Sequence, residues 1–110
     1  MKQKTEDYFE RCGGQGWMHI ERLLDQMEMG EHVGMYAKVT IDPHSSLGYH
    51  EHHGDGECYY ILEGEGLYDD NGVKRSVKVG DVTFTPSGKG HAIENVLDTP
   101  LVFMALIIKS

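Results

Sequence analysis

Val33, Met35, Ala37, Val39 and Ile41 alternate with Tyr36, Lys38 and Thr40. This period of two puts one apolar face on a strand. Asp42-Pro43 stops the run, and residues 43–48 read as a loop. Gly54-Asp55-Gly56 is a turn signal, and from Glu57 a β-branched and aromatic run continues through Tyr59-Tyr60-Ile61-Leu62 to about Tyr68. Asp70-Asn71-Gly72 is the strongest hairpin signal, because Asn-Gly fits a type I′ turn. Residues 73–79 then pair back, Gly80-Asp81 turns, and residues 82–85 make the next strand. His91, Ile93 and Asn95 share a parity, and Asp98-Thr99-Pro100 turns once more. The run from Leu101 to Ile108 does not alternate, which predicts burial on both faces.

The first third is less regular. Residues 1–16 are polar, end in Gly13-Gly14-Gln15-Gly16 and carry no period, so they are expected to be a flexible approach. Residues 17–24 predict an edge strand, with a short helix as the alternative, and residues 25–32 a loop or a turn of helix. Many short strands with a turn signal every ten residues or so indicate an all-β sandwich or small barrel. Residues 17–110 would form it as one domain.

The net charge of −8 argues against nucleic acid or an anionic membrane as partner. No apolar run approaches the roughly 20 residues of a membrane span, and residues 1–7 lack the apolar core of a signal peptide. The expected location is therefore cytoplasmic. Cys12 and Cys58 have no C-x-x-C spacing and are read as free thiols.

His50 and His52 lie two apart, so on a strand both imidazoles share a face. A hairpin through residues 54–56 would return Glu57 beside His52, giving an N,N,O set suited to a divalent transition metal. Residues 80–91 repeat the theme of strand, glycine-rich turn and histidine, so His91 is a candidate third nitrogen if the two segments meet. His53 and Glu51 have the opposite parity and should point away. Tyr59 and Ile61 share Glu57's parity and should line the interior, with Phe84 and Ile93 as further candidates. Tyr59 is the one candidate for a catalytic base outside the ligand set.

With these residues in place, the chain resembles a small single-domain cupin. His50, His52, Glu57 and Gly64 match the first cupin motif in spacing, although His44 stands where its leading Gly would be. Gly80, Pro86, Gly88, His91 and Asn95 match the second, G-x5-P-x-G-x2-H-x3-N, in full. The resemblance implies a double-stranded β-helix, or jelly-roll barrel, pairing of chains through its sheets, and one divalent metal (Mn, Fe, Co, Ni or Zn) on His50, His52, Glu57 and His91. Asn95 would serve as a turn or backbone partner. It further implies two open metal positions for a small chelating carboxylate, diketone or sugar derivative. The short cupins it is most similar to are oxalate-decarboxylase-like. Oxalate decarboxylases carry an Arg shortly before H-x-H and a Glu-bearing lid, whereas residues 47–49 are Leu47, Gly48 and Tyr49. That departure favours a module that binds its ligand over the alternative, a metal-dependent dioxygenase, decarboxylase or isomerase. A homodimer is expected.

Overall fold

The computed structural model of the protein describes residues 4–110. Ten strands follow in chain order: β1 (Lys4–Phe9), β2 (Trp17–Arg22), β3 (Val33–Ile41), β4 (Ser46–Glu51), β5 (Asp55–Glu63), β6 (Glu65–Asp70), β7 (Val73–Lys78), β8 (Val82–Thr85), β9 (Gly90–Asn95) and β10 (Leu101–Lys109). They form two antiparallel sheets. One has the order β1-β2-β3-β10-β5-β8 and the other β4-β9-β6-β7. The faces that meet carry Met18, Ile20, Val39, Ile41, Tyr59, Ile61, Tyr68, Ile93, Leu101 and Phe103, all buried. The expected jelly roll is therefore the observed fold.

Alternation builds the core where the period was clean. Met35, Ala37, Val39 and Ile41 point inward from β3 while Lys38 is exposed. The Asn71-Gly72 turn has both residues at positive φ (51° and 99°) and closes β6 on β7 with Asp70 opposite Val73.

Four expectations need correction. The run from Glu57 to Tyr68 is two strands in different sheets, divided at Gly64. There φ is +83°, and a Cβ would lie 2.6 Å from the Pro100 carbonyl oxygen. Only glycine lets the chain cross between sheets at that point. Residues 4–9 of the supposed flexible approach form β1, paired with β2 from Lys4–Arg22 to Phe9–Trp17; residues 1–3 lie outside the described part. Consequently β2 is an interior strand between β1 and β3, and β1 takes the edge. Its Thr5, Glu6 and Asp7 give no apolar period, so nothing in the pattern revealed it. Residues 46–48 of the expected loop already belong to β4. The segment 25–32 contains one helical turn, Gln26–Met29, held by a capping box between Asp25 and Glu28.

β10 lies at the centre of its sheet, between β3 and β5. Leu101, Phe103 and Ala105 face the core, which explains half of its apolar composition. The other half is outward: Met104 and Leu106 are half-buried and Ile108 is exposed.

Candidate metal centre

The expected hairpin between His52 and Glu57 does not form. β4 pairs with β9, and β5 belongs to the opposite sheet. His50 and His91 sit directly opposite each other on β4 and β9, and His52 follows the end of β4. Glu57 reaches them from β5, across the interior of the sandwich. The turn after β8 holds the arrangement. Gly88 N–H donates to the His52 carbonyl (2.7 Å), and His52 N–H donates to the Lys89 carbonyl (3.0 Å). That turn, in the second motif, thereby locks the second histidine of the first motif beside His91.

His50, His52, Glu57 and His91 place one ligand atom each within 4.8 Å of all the others. The Nε2 atoms of His91 and His50 are 3.0 Å apart, and those of His52 and His91 3.1 Å. Glu57 Oε1 is 3.1 Å from both His52 and His91 Nε2, and 3.8 Å from His50 Nε2. With metal–donor bonds of about 2.1 Å, donors at right angles lie about 3.0 Å apart and tetrahedral donors about 3.4 Å. Four of the five separations match right angles, so the set fits a six-coordinate ion with two further positions.

The outer nitrogens settle which way the lone pairs face. His50 Nδ1 donates to the Gly48 carbonyl (2.9 Å) and His52 Nδ1 to the Asp55 carboxylate (2.9 Å). His91 Nδ1 is 2.8 Å from the Tyr68 hydroxyl, which is 2.7 Å from Thr85 Oγ1. With Tyr68 accepting from His91 and donating to Thr85, every neutral imidazole turns a bare Nε2 inward. Three lone pairs and a carboxylate converging on one point repel one another unless a cation or protons intervene.

The titration directions agree. Burial works to raise the Glu57 carboxyl, but His50, His52 and His91, donating from Nε2 when they carry a second proton, overcome it and hold the group well below the ordinary carboxylate range. His52 is raised, chiefly by its bond to Glu57 and further by Asp55, with burial opposing. Burial dominates at His91 and lowers it despite Glu57. Protons and a divalent ion therefore compete for the same Nε2 atoms.

Tyr59 is buried, its ring stacked on His91 at 4.9 Å. Burial, the Glu57 charge and a hydrogen bond to Glu57 push its hydroxyl well above the ordinary tyrosine range, so it stays protonated. Ile61 and Ile93 are core residues. Phe84, expected inside, is 51% exposed. It sits opposite Cys58 on the outer face, while Thr83 and Thr85 point in. The inward hydroxyl of Thr85 is needed by Tyr68, a demand that hydrophobic patterning does not reveal. His53 is exposed and pairs with Glu51. Asn95 donates to the carbonyls of Ile41, Asp42 and Thr99, tying three segments together.

Several contributors were missed from the sequence. Asp55 was read only as a turn residue and Tyr68 only as the end of a strand. A cavity of about 190 Å3 that reaches His50, His52 and Glu57 is walled by Met18, Ile20, Met35, Val39, Leu47 and Ile107, and Arg11, Cys12 and Arg22 also line it. Arg11 and Cys12 come from the segment expected to be a flexible approach, and Arg22 from the end of β2. Only the two arginines, in a chain with an acidic excess, hinted at them.

The cupin domain family matches residues 37–107. The chain is 45% identical over 96 residues to an oxalate-binding protein of Thermotoga maritima, a match covering 87% of this chain and 79% of the relative. It is 32% identical over 75 residues to an oxalate decarboxylase of Bacillus subtilis, covering 64% of this chain but 20% of that one. A crystal structure of a predicted oxalate decarboxylase from Thermotoga maritima superimposes with a TM-score of 0.95 at 40% identity, covering 99% and 95% of the two chains. With two sheets, both motifs and four converging ligands in place, the chain belongs to the cupin family.

Proposed function

We propose that the protein holds one divalent transition metal on His50, His52, Glu57 and His91 and binds a small carboxylic acid there without turning it over, oxalate being the first candidate. The observation that carries this reading is the convergence of three Nε2 lone pairs and one carboxylate at right-angled spacing. The oxalate-binding relative supports the choice of acid. When bound, the ion would act as a Lewis acid holding two ligand oxygens. The chain's own residues do the rest. Asp55, the Gly48 carbonyl and Tyr68 orient the imidazoles, and Met18, Ile20, Met35 and Ile107 keep water from the cavity.

Binding is favoured over turnover because the cavity offers no carboxylate or imidazole outside the candidate ligand set among its described lining residues. Tyr59, which also lines it, retains its proton. General acid–base chemistry needs a group within reach whose pKa lies near the working pH.

Metal analysis and calorimetry test this. Protein loaded with Mn, Fe, Co, Ni or Zn should bind oxalate at one site per chain, and His52→Ala should lose both metal and oxalate. Release of CO2 or formate, or uptake of O2, during the titration would replace the binding reading with the enzymatic one. Metal-loaded protein that ignores millimolar oxalate would sink the carboxylate.

The same reading includes a homodimer and a cytoplasmic location. Tyr60, Leu62, Val82, Phe84 and Ile108 are all exposed on the outer face of the six-stranded sheet. Five apolar side chains exposed on one sheet face suit a second copy of the chain. Among the described residues, no helix is long and apolar enough to cross a membrane.

A further inference from the structure

We propose that Arg11 is the anion-gripping residue of the cavity: its guanidinium pairs with the ligand carboxylate oxygens and selects a dicarboxylate or 2-oxo acid over neutral chelators. The inference rests on the carboxylate reading above and adds the residue that would enforce it.

Two cations line the metal cavity, Arg11 and Arg22. Arg22 is already matched, with Nε and Nη2 donating to the two Glu6 carboxylate oxygens at 3.1 and 3.3 Å. Arg11 makes no ion pair among the described residues. Its guanidinium lies 4.0 Å over the Tyr8 ring. A ring beneath the plane steadies the group and leaves the edge N–H donors free, and those are the donors that meet a carboxylate two at a time. In a chain with a net charge of −8, a half-buried arginine that lines this cavity and has no carboxylate partner among the described residues is left with only the Tyr8 ring as its contact.

The segment that carries it is held in place. Glu10 and Cys12, on either side of Arg11, adopt positive φ of 53° and 56°, conformations that are strained for a non-glycine residue. The surroundings hold them there. Glu10 N–H donates to the Gly16 carbonyl (2.8 Å) and closes the loop. Ser46 N–H donates to the Gln15 carbonyl (2.7 Å), and Gln15 N–H to Ser46 Oγ (2.9 Å). Backbone meets backbone beside them: a Cβ on Gly48 would lie 2.0 Å from the Cys12 carbonyl oxygen, and one on Gly14 2.2 Å from the Ser46 carbonyl oxygen. Arg11 is thus fastened to β4, the strand that presents His50. An arginine fixed before the ligand arrives loses less side-chain freedom on binding. The cavity's size fits a short acid, and its apolar walls leave Arg11 as the one uncompensated charge for it to meet.

The test compares metal-loaded wild type, Arg11→Gln and Arg11→Lys by calorimetry, with oxalate and with ethylenediamine, a bidentate chelator that binds a metal as the neutral diamine. Metal content is measured on each. Arg11→Gln should weaken oxalate about ten- to hundredfold, as expected for lost charge-assisted hydrogen bonds. Arg11→Lys should fall between the two, and both variants should keep wild-type metal content and wild-type affinity for the neutral chelator. Equal loss for both ligands would mean that Arg11 only supports the structure, and unchanged oxalate affinity would mean that it does not touch the acid. Either result overturns the inference alone. Wild type that carries metal but binds no oxalate would overturn the carboxylate reading as well.

Discussion

The site is a case of ligand residues being set by their partners. His52 faces inward because Asp55 holds its Nδ1, and His91 because the buried Tyr68 holds its own. Removing such a partner typically costs ten- to a hundredfold in metal affinity. Asp55→Ala should therefore weaken the metal by about that factor while leaving the fold intact, since Asp55 is about 30% exposed in its side chain and holds only His52. Competition against a calibrated chelator measures it, and unchanged affinity would show that His52 needs no orienting partner. Asp55 was visible in the sequence as a turn former. Its second role was not, because the bond depends on how β4 ends and β5 begins, which is a matter of three-dimensional path.

Among the strands, the consequential step is the crossing at Gly64. An Ala there must hold φ near +83° with its Cβ 2.6 Å from a carbonyl oxygen. The backbone strain alone costs roughly 1–3 kcal/mol, and the clash adds to it. Gly54 also has positive φ, but nothing lies within 4 Å of its added Cβ. Urea denaturation of Gly64→Ala should show a markedly lower midpoint than that of Gly54→Ala, and equal midpoints would contradict the packing argument. A different element shows a pH effect. His19 on β2 bonds Asp7 of β1 (2.7 Å) and Asp42 after β3 (2.9 Å), with Thr40 opposite it on β3. These bonds raise its pKa, the Asp7 bond most, against partial burial. A raised histidine contributes stability that is complete below its unfolded value, near 6.5, and is lost as pH rises through the higher folded value. The melting-temperature gap between wild type and His19→Gln should accordingly be larger at pH 6 than at pH 8.5. A gap independent of pH would remove the charged clasp.

For the whole molecule, what matters is which surfaces remain open. One sheet face encloses the core, and the opposite face of the six-stranded sheet presents Tyr60, Val82, Phe84 and Ile108 to solvent. Light scattering at micromolar concentration should report the mass of two chains for the wild type. The double variant Tyr60→Glu, Phe84→Glu should report one, because like charges would face each other wherever two copies pair through this patch. A monomeric wild type would leave that patch to another occupant.

Much of the protein can be read from local pattern. The alternation of Val33–Ile41, the Asn71-Gly72 turn and the two-residue spacing of His50 and His52 are short-range properties, and they identified a strand, a turn and two candidate ligands, while Glu57 and His91 joined that set through the resemblance to the cupin motifs. Period and turn chemistry depend on neighbouring residues, which is why the sequence by itself determined them. Which sheet each strand joins was decided only by the tertiary structure. It separated β5 from β6 at Gly64, brought Glu57 to the histidines across the sandwich, turned Phe84 outward, and laid Arg11 and Cys12 against the cavity. Those outcomes depend on contacts between residues far apart in the chain, where the burial of one face and the pairing of backbone groups are settled for the molecule as a whole.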